Sequence, residues 1–189
     1  MRLSAALFAG IALCAVAGPV RAGEQFDMFQ QICMASHASP ADVLAAADKT
    51  GWMPLPDALK QSLSQVSAIP NPQGRLRSGP TGLMILLAGA GMISDIQNAH
   101  GEVCAVMHAP SEAGLDGEVA GLAAVPKDAK DSIDQATYYW RDEKNLHVPV
   151  ATGDIDVQTA LKAGPIHMLM EKTQEKFSVA MSIIASQSN

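Results

Sequence analysis

The sequence predicts an α+β fold in which about three N-terminal helices pack on an antiparallel sheet of five to six strands, with one further covering helix. Apolar residues recur at helical spacing in the first third of the chain. Short apolar runs bounded by turn residues follow, and the C-terminal stretch alternates between apolar and polar side chains. Helices followed by a run of strands are typical of the α+β class.

Residues 1–22 have the features of a secretory signal peptide. Arg2 precedes an apolar run from Leu3 to Ala17, and small residues surround a cleavage site after Ala22. The run is too short to span a bilayer, and no other segment is a candidate transmembrane helix. We therefore expect an exported protein, periplasmic or secreted, whose mature chain is one α+β domain at residues 23–189. A lipoprotein anchored through Cys14 is the weaker alternative.

The charge of the mature chain excludes one class of partner. Loss of Arg2 and Arg21 with the signal changes the formal net charge from −6 to −8. Nucleic acids and anionic membrane surfaces favour a basic face, so neither is expected as a partner.

The predicted domain has a helical part at 23–69, a loop at 70–80 and a sheet part at 81–189. Ser39 and Pro40 are typical of a helix start, and Gly51 is typical of a left-handed residue after a helix end. A third helix should begin near Asp57, with Leu59, Leu63 and Val66 at helical spacing. Proline and glycine are frequent between Pro70 and Pro80, which favours a surface loop there.

The sheet part contains six apolar or alternating runs that read as strands. A helix beginning after Ser111 and ending before Pro126 would cover one face of the sheet, and a further helical stretch lies between Ile155 and Ala163. The predicted strands are 83–87, 102–107, 137–140, 146–150, 166–170 and 177–181.

The mature chain keeps two cysteines, Cys33 and Cys104. Two thiols in an oxidising compartment usually pair, and a bridge closing about 70 residues would stabilise the fold by about 4 kcal/mol in the chain-entropy model. Two unpaired buried cysteines and a thiol-redox site are the alternatives. The sequence has no Cys-x-x-Cys motif, which disfavours redox chemistry.

Methionine and histidine are the residues that raise the question of a metal site. Thioether and imidazole ligands suit copper, and the candidate ligands are His108, His147, His167 and Met107. Strand alternation points His167 away from Met168, however, and methionine commonly fills irregular cores. Structural packing is therefore the preferred interpretation, and no cofactor is expected.

No catalytic residue is predicted, because the motifs of serine hydrolases, penicillin-recognising enzymes and zinc proteases are absent. Trp52, Arg75, Arg77 and Trp140 are candidates for a ligand or partner surface. A tryptophan just after a helix is more often a packing residue, and loop arginines are more often only solvated.

These observations favour a non-enzymatic binding or accessory protein for a partner protein or small apolar ligand. The groove between the helices and the exposed face of the sheet are the expected surfaces. The alternatives are a copper or zinc binding protein that uses the histidines and methionines, and an enzyme with an unrecognised site.

The mature N-terminus should be Gly23, because the small residue Ala22 completes the cleavage signal. Mass spectrometry of the exported protein would measure this directly. A chain acylated at Cys14 would contradict the prediction.

Overall fold

The computed structural model describes residues 23–60, 72–93, 99–128, 131–132, 134–144, 146–150 and 157–187. Its main element is an eight-stranded sheet in which each described neighbouring pair is antiparallel. The strand order across the sheet is β1-β2-β3-β4-β8-β7-β5-β6. The strands are β1 (Met53–Pro54), β2 (Gln73–Ser78), β3 (Leu83–Met92), β4 (Ala99–Ala109), β5 (Gln135–Glu143), β6 (Leu146–Pro149), β7 (Ile166–Gln174) and β8 (Phe177–Gln187).

Short helices accompany the sheet. None of those in the described ranges is long and apolar enough to cross a membrane. They are α1 (Glu24–Met28), a π-helical turn (Phe29–Met34), α2 (Pro40–Lys49), α3 (Leu115–Ala123) and α4 (Val157–Lys162).

The predicted fold class is wrong. The protein is mostly one eight-stranded antiparallel sheet with short helices, and not three N-terminal helices packed on five to six strands. Two strands were not predicted: β1 lies in the segment expected to be the helical part, and β2 lies in the segment expected to be a loop. In β2 the single apolar residue Leu76 stands between Arg75 and Arg77, so neither a continuous apolar run nor a clear alternation was visible. Pairing of β2 with β3 over Gln73–Ser78 makes it a strand.

Each of the six predicted strands is present, and most are longer than predicted. The ladder between β3 and β4 continues from Leu83↔Ala109 to Met92↔His100, through glycines that the apolar runs do not include. The helix expected from Asp57 is described only as residues 57–60. Its predicted positions Leu63 and Val66, like the signal peptide at 1–22, lie outside the described residues.

Helix α2 begins and ends close to the predicted positions. Pro40 occupies the first turn, and Gly51 adopts a left-handed φ of +81° just beyond the helix. Ser39 makes no side-chain cap. Its carbonyl instead accepts a hydrogen bond from the Val43 amide at 2.9 Å, so the backbone makes the first turn without help from the hydroxyl.

One face of the sheet is covered by α1, the π-helical turn, α2 and α3. Side chains alternate along each strand, so β3 presents Met84 and Leu86 to these helices while β4 presents Cys104 and Val106. The helices contribute apolar residues that are almost completely buried, including Phe29. This helix-covered face holds the largest core cluster, which also contains Ile32, Val43, Trp52, Leu115, Val119, Tyr138, Trp140 and Leu169.

A disulfide between Cys33 and Cys104 ties the helical layer to the sheet, as predicted. Cys33 lies on the π-helical turn and Cys104 lies in β4, with their Cα atoms 5.4 Å apart. Both residues are fully buried. The bridge therefore holds the N-terminal segment against a central strand across 71 residues of chain.

The opposite face of the sheet carries a second apolar surface. Leu55 and Leu59 pack at one side of it, and Ala160 and Leu161 contribute to another cluster with Ile166. Between these segments the strands present half-buried apolar side chains. We call this surface the methionine face, and define it by Ile85, Met107, Met168, Met170, Val179, Met181 and Ile183.

Replacement of both Cys33 and Cys104 by alanine should lower the free energy of unfolding by up to about 4 kcal/mol, because the unfolded chain gains the freedom of a long loop. Urea denaturation would measure the loss, and reduced wild-type protein is the matched control. Equal midpoints for the oxidised wild type and the double variant would show that packing alone attaches the helical layer.

Candidate functional site

Strands β5, β6 and β7 bring a tryptophan, two histidines and an aspartate together on the helix-covered face. Trp140 of β5 lies opposite His167 of β7, and Asp142 of β5 lies opposite His147 of β6. Trp140 and Asp142 are two residues apart and point to the same side of the strand. The sheet register therefore converts four distant sequence positions into one cluster, which we call the His-Trp-His stack.

The three rings of this stack lie nearly parallel. The Trp140 and His147 ring centroids are 4.7 Å apart with an interplanar angle of 24°, and those of Trp140 and His167 are 5.5 Å apart with an angle of 14°. Because β5 lies between β6 and β7, the indole is placed between the two imidazoles. Trp140 is only 2% exposed, whereas both imidazoles are partly accessible.

The Asp142 carboxylate joins the polar edges of the stack. It accepts a hydrogen bond from Trp140 Nε1 at 3.2 Å, and its oxygens lie 3.1 Å from His167 Nε2 and 3.6 Å from His147 Nε2. His147 Nδ1 donates to the carbonyl of Ala123 at 2.8 Å, since a carbonyl can only accept. That bond orients the His147 ring from helix α3.

Burial is the main cause that lowers the pKa of His167 from its ordinary value of 6.5. Asp142 opposes this by favouring the imidazolium, while His147 and His37 add to the lowering. The neutral form of His167 is therefore the one that the folded protein prefers near neutral pH.

The predicted metal ligands separate into three places. His147 and His167 come together, but on opposite sides of the indole. His108 lies in β4 near α1, and Met107 points to the methionine face. Within the described ranges, no group of three or more His, Cys, Asp or Glu side chains is arranged to hold a metal ion.

His108 belongs to a buried polar network beneath α1. It is 1% exposed, donates from Nδ1 to the carbonyl of Pro110 at 2.5 Å, and accepts at Nε2 from the Thr81 hydroxyl at 3.1 Å. Glu112 lies 3.4 Å from the same Nε2 atom. This orientation of a hydroxyl, an imidazole and a backbone carbonyl resembles the order of groups that activates a nucleophile.

Two carboxylates weigh against catalysis at Thr81. Glu112 and Glu24 have oxygens 3.3 Å and 3.4 Å from its hydroxyl. An oxyanion formed there would stand beside negative charge, which is the reverse of the donor arrangement that stabilises such intermediates. We therefore assign the network a structural role.

The hydrogen bonds of Gln25 hold helix α1 against the sheet. This fully buried residue donates from Nε2 to the carbonyls of Val106 and Ser178 at 2.8 Å and 3.1 Å, and its side-chain oxygen accepts from the Ser178 hydroxyl at 2.5 Å. One amide thus connects α1 to both central strands, β4 and β8.

Of the four residues named as surface candidates, the two tryptophans are buried and the two arginines pair with carboxylates of the helices. Trp52 is 4% exposed in the core, and Trp140 is the centre of the stack. Arg75 makes a two-pronged contact with Asp48 of α2 at 2.6 Å and 3.1 Å, and Arg77 lies 3.5 Å from Glu24 of α1. The two arginines connect β2 to the helices, and the contact with Arg75 lowers the pKa of Asp48.

Apart from Met107, the residues of the methionine face were not predicted to form a site. Met170 lies directly opposite Met181, and Met107 lies opposite Val179, so Met107 and Met181 are diagonal neighbours across β4 and β8. These methionines are half-buried. The hairpin alternation could have paired Met170 with Met181. The addition of Met107 depends on the strand order, which the sequence does not reveal.

Comparison with known proteins identifies no relative: no family model, curated protein or solved structure matches the chain.

The folded protein should lose stability as the pH falls below about 6.5, because the unfolded chain takes up a proton at His167 more readily than the buried imidazole does. The loss of stability begins near the ordinary pKa of the unfolded chain and is complete at pH values below the lowered pKa of His167 in the folded protein. Replacement of His167 by glutamine should reduce the difference between the urea midpoints at pH 7.5 and pH 5.

The substitution Asp142→Asn tests whether the carboxylate raises the pKa of His167. Removal of the carboxylate should lower the pKa of His167 further, as followed by its imidazole C–H resonances in an NMR titration. Asp48→Asn, at the distant contact with Arg75, should leave that titration unchanged. A higher pKa of His167 in Asp142→Asn would contradict the assignment.

Proposed function

We propose that this protein is a non-enzymatic binding protein that holds an apolar segment of a partner protein on the methionine face. The observation that carries the proposal is the composition of that face, where half-buried methionine and β-branched side chains extend across β3, β4, β8 and β7. These partly accessible apolar side chains lie side by side and offer an apolar segment of a partner a surface to pack against.

The side-chain chemistry favours a protein partner. Methionine is unbranched and polarisable, so surfaces rich in it can adapt to apolar side chains of different shapes. A small apolar ligand would favour an enclosed pocket. The groove of about 330 Å³ at the β7–β8 turn is lined by Gln174, Glu175, Lys176 and Phe177, none of which belongs to the methionine face.

The proposal includes export of the protein from the cytoplasm. A cleaved signal peptide at residues 1–22 would deliver the protein to the periplasm or the exterior, where the Cys33–Cys104 disulfide is stable. The partner is then another exported protein or the exported part of a membrane protein. The acidic net charge supports a protein partner over a nucleic acid.

Site-specific photo-cross-linking in the producing cells would test this function. A photoreactive residue at Val179 should give a discrete protein adduct, because Val179 lies within the methionine face. The matched controls are Leu146, which is 69% exposed on the edge strand β6, and Met92, which is 55% exposed. Neither control position should give that adduct.

A charge placed within the face gives the second arm of the test. Met181→Lys should abolish the adduct at Val179, since a lysine there would have to be desolvated against an apolar partner. An adduct of small mass would indicate a lipid or other small ligand instead. Equal adducts at Val179 and Leu146, or no adduct, would overturn the proposal.

A further inference from the structure

Glu112, in the loop between β4 and α3, lies directly beside Gly23, the residue at which the mature chain is expected to begin. A Cβ atom added to Gly23 would lie 2.9 Å from Oε2 of Glu112. The backbone nitrogen of a residue is about 2.5 Å from its Cβ position, so the Gly23 nitrogen lies within about 5.5 Å of the carboxylate. The expected first atom of the mature chain is therefore a neighbour of a carboxylate in the fold.

The surroundings of Glu112 hold its side chain in this position. The side chain is 10% exposed. Its Oε2 atom accepts a hydrogen bond from the Gln25 amide at 3.2 Å, and the backbone amide of Glu112 donates to the Ser178 hydroxyl at 3.2 Å. These contacts tie the carboxylate to α1 and to β8. Because Gly23 has no side chain, the carboxylate can lie this close to the chain.

The negative charge of Glu112 has no lysine or arginine partner among the residues that the structure describes. Its Oε1 atom lies 3.3 Å from the Thr81 hydroxyl and 3.4 Å from His108 Nε2. The hydroxyl has a single proton, and in the network described above that proton goes to Nε2, so neither group donates to Oε1. A carboxylate that is largely removed from water is costly unless a cation compensates it. A positive charge beside Glu112 would therefore stabilise the fold.

We propose that Glu112 binds the α-ammonium group that removal of the signal peptide creates at Gly23. Hydrolysis of the peptide bond after Ala22 adds the hydroxyl of water to the Ala22 carbonyl carbon and leaves a protonated amine on Gly23. That amine is mostly charged at neutral pH, because the ordinary pKa of an α-amino group is about 8. In the precursor the same nitrogen is an uncharged amide. The mature chain thus gains an ion pair that the precursor lacks.

The position of this ion pair gives it a defined effect on the fold. Gln25 connects α1 to β4 and β8, and its amide already donates to Glu112. An ammonium group on Gly23 adds a second contact to the same carboxylate, two residues earlier in the chain. Processing of the precursor therefore strengthens the attachment of α1 to the sheet.

A cycle of charge removal on the mature chain would test the pair. Protein with an intact disulfide and with Gly23 as its first residue is acetylated selectively at the α-amine while unfolded in urea, and is then refolded. Acetylation should lower the folding equilibrium constant by about tenfold or more, because it removes a charged donor from a largely buried carboxylate. In Glu112→Gln, which keeps the shape of the side chain, acetylation should change that constant by less than about twofold.

Glu24→Gln is the matched control for the choice of carboxylate. Glu24 follows Gly23 directly in the sequence, but its side chain lies 3.5 Å from Arg77 and 3.4 Å from the Thr81 hydroxyl. Acetylation should therefore destabilise this variant by about the same factor as the wild type. A cycle in which Glu24→Gln removes the effect of acetylation, and Glu112→Gln retains it, would contradict the assignment.

Titration of the α-amine gives a readout that does not depend on stability. A nearby carboxylate favours the ammonium form, so the pKa of the Gly23 amine should lie above about 8 in the wild type and should fall in Glu112→Gln. NMR of glycine-labelled protein would follow it. Other charged or titratable groups on the elements around α1 are the same in both proteins, so the difference reports Glu112. They include Glu24, Asp27, Arg77, His108 and Asp116.

Three outcomes would overturn the proposal: equal stability of the free and acetylated proteins, an equal effect of acetylation in Glu112→Gln, or a Gly23 amine whose pKa lies at or below about 8. The proposal rests on the export that belongs to the proposed function, so an exported protein that begins at another residue would overturn it as well. It does not rest on the partner. Loss of the adduct at Val179 with a full effect of acetylation would overturn only the binding function.

Discussion

The antiparallel pairing of β4 with β8 joins the two halves of the sheet. Strands β1 to β4 form one continuous meander, and β5 to β8 form the other half, so only this pairing makes a single eight-stranded sheet. Two attachments of the helical layer converge on the same two strands. Cys33 is bonded to Cys104 in β4, and Gln25 is hydrogen-bonded to the backbone of both strands. Without this pairing, the sheet would separate into two four-stranded halves, and the helices would lose these attachments to its centre.

The alternation of side chains along these strands keeps two kinds of chemistry apart. In β4, Met107 and His108 are adjacent in sequence and point to opposite faces. The same holds for His167 and Met168 in β7. Consequently His108, His167 and Glu171 lie on the helix-covered face, and Met107, Met168, Met170 and Met181 lie on the methionine face. Met84 of β3 is a methionine of the helix-covered face.

Local signals in the sequence predicted those features whose interactions are local. Pro40 and Gly51 bounded α2 correctly, and the alternation in the last two strands predicted the β7–β8 hairpin. The disulfide was predicted because two cysteines leave only one pairing. Strand β2 was missed because its residues become a strand only through pairing with β3, and its two arginines have partners on α1 and α2.

The candidate sites were harder to predict, because their members meet through the strand order. Trp140 and His167 are neighbours since β7 lies between β5 and β8, an arrangement that no local pattern encodes. The same reason applies to Met107 and Met181. Side-chain type identified the residues capable of chemistry, and only the tertiary pairing showed which of them share a face.

The strand order also has a consequence for how the chain reaches its native state. His108 near the end of β4 pairs with Ser178 near the start of β8, so the central ladder joins residues that are far apart in the sequence. Such non-local pairing makes folding slow, because a long loop must close before the contacts form. Until the C-terminal hairpin docks, the free edge of β4 presents unpaired amides and carbonyls beside an apolar strand, which is a template for aggregation. The nascent protein is therefore most vulnerable just before its last strand is in place.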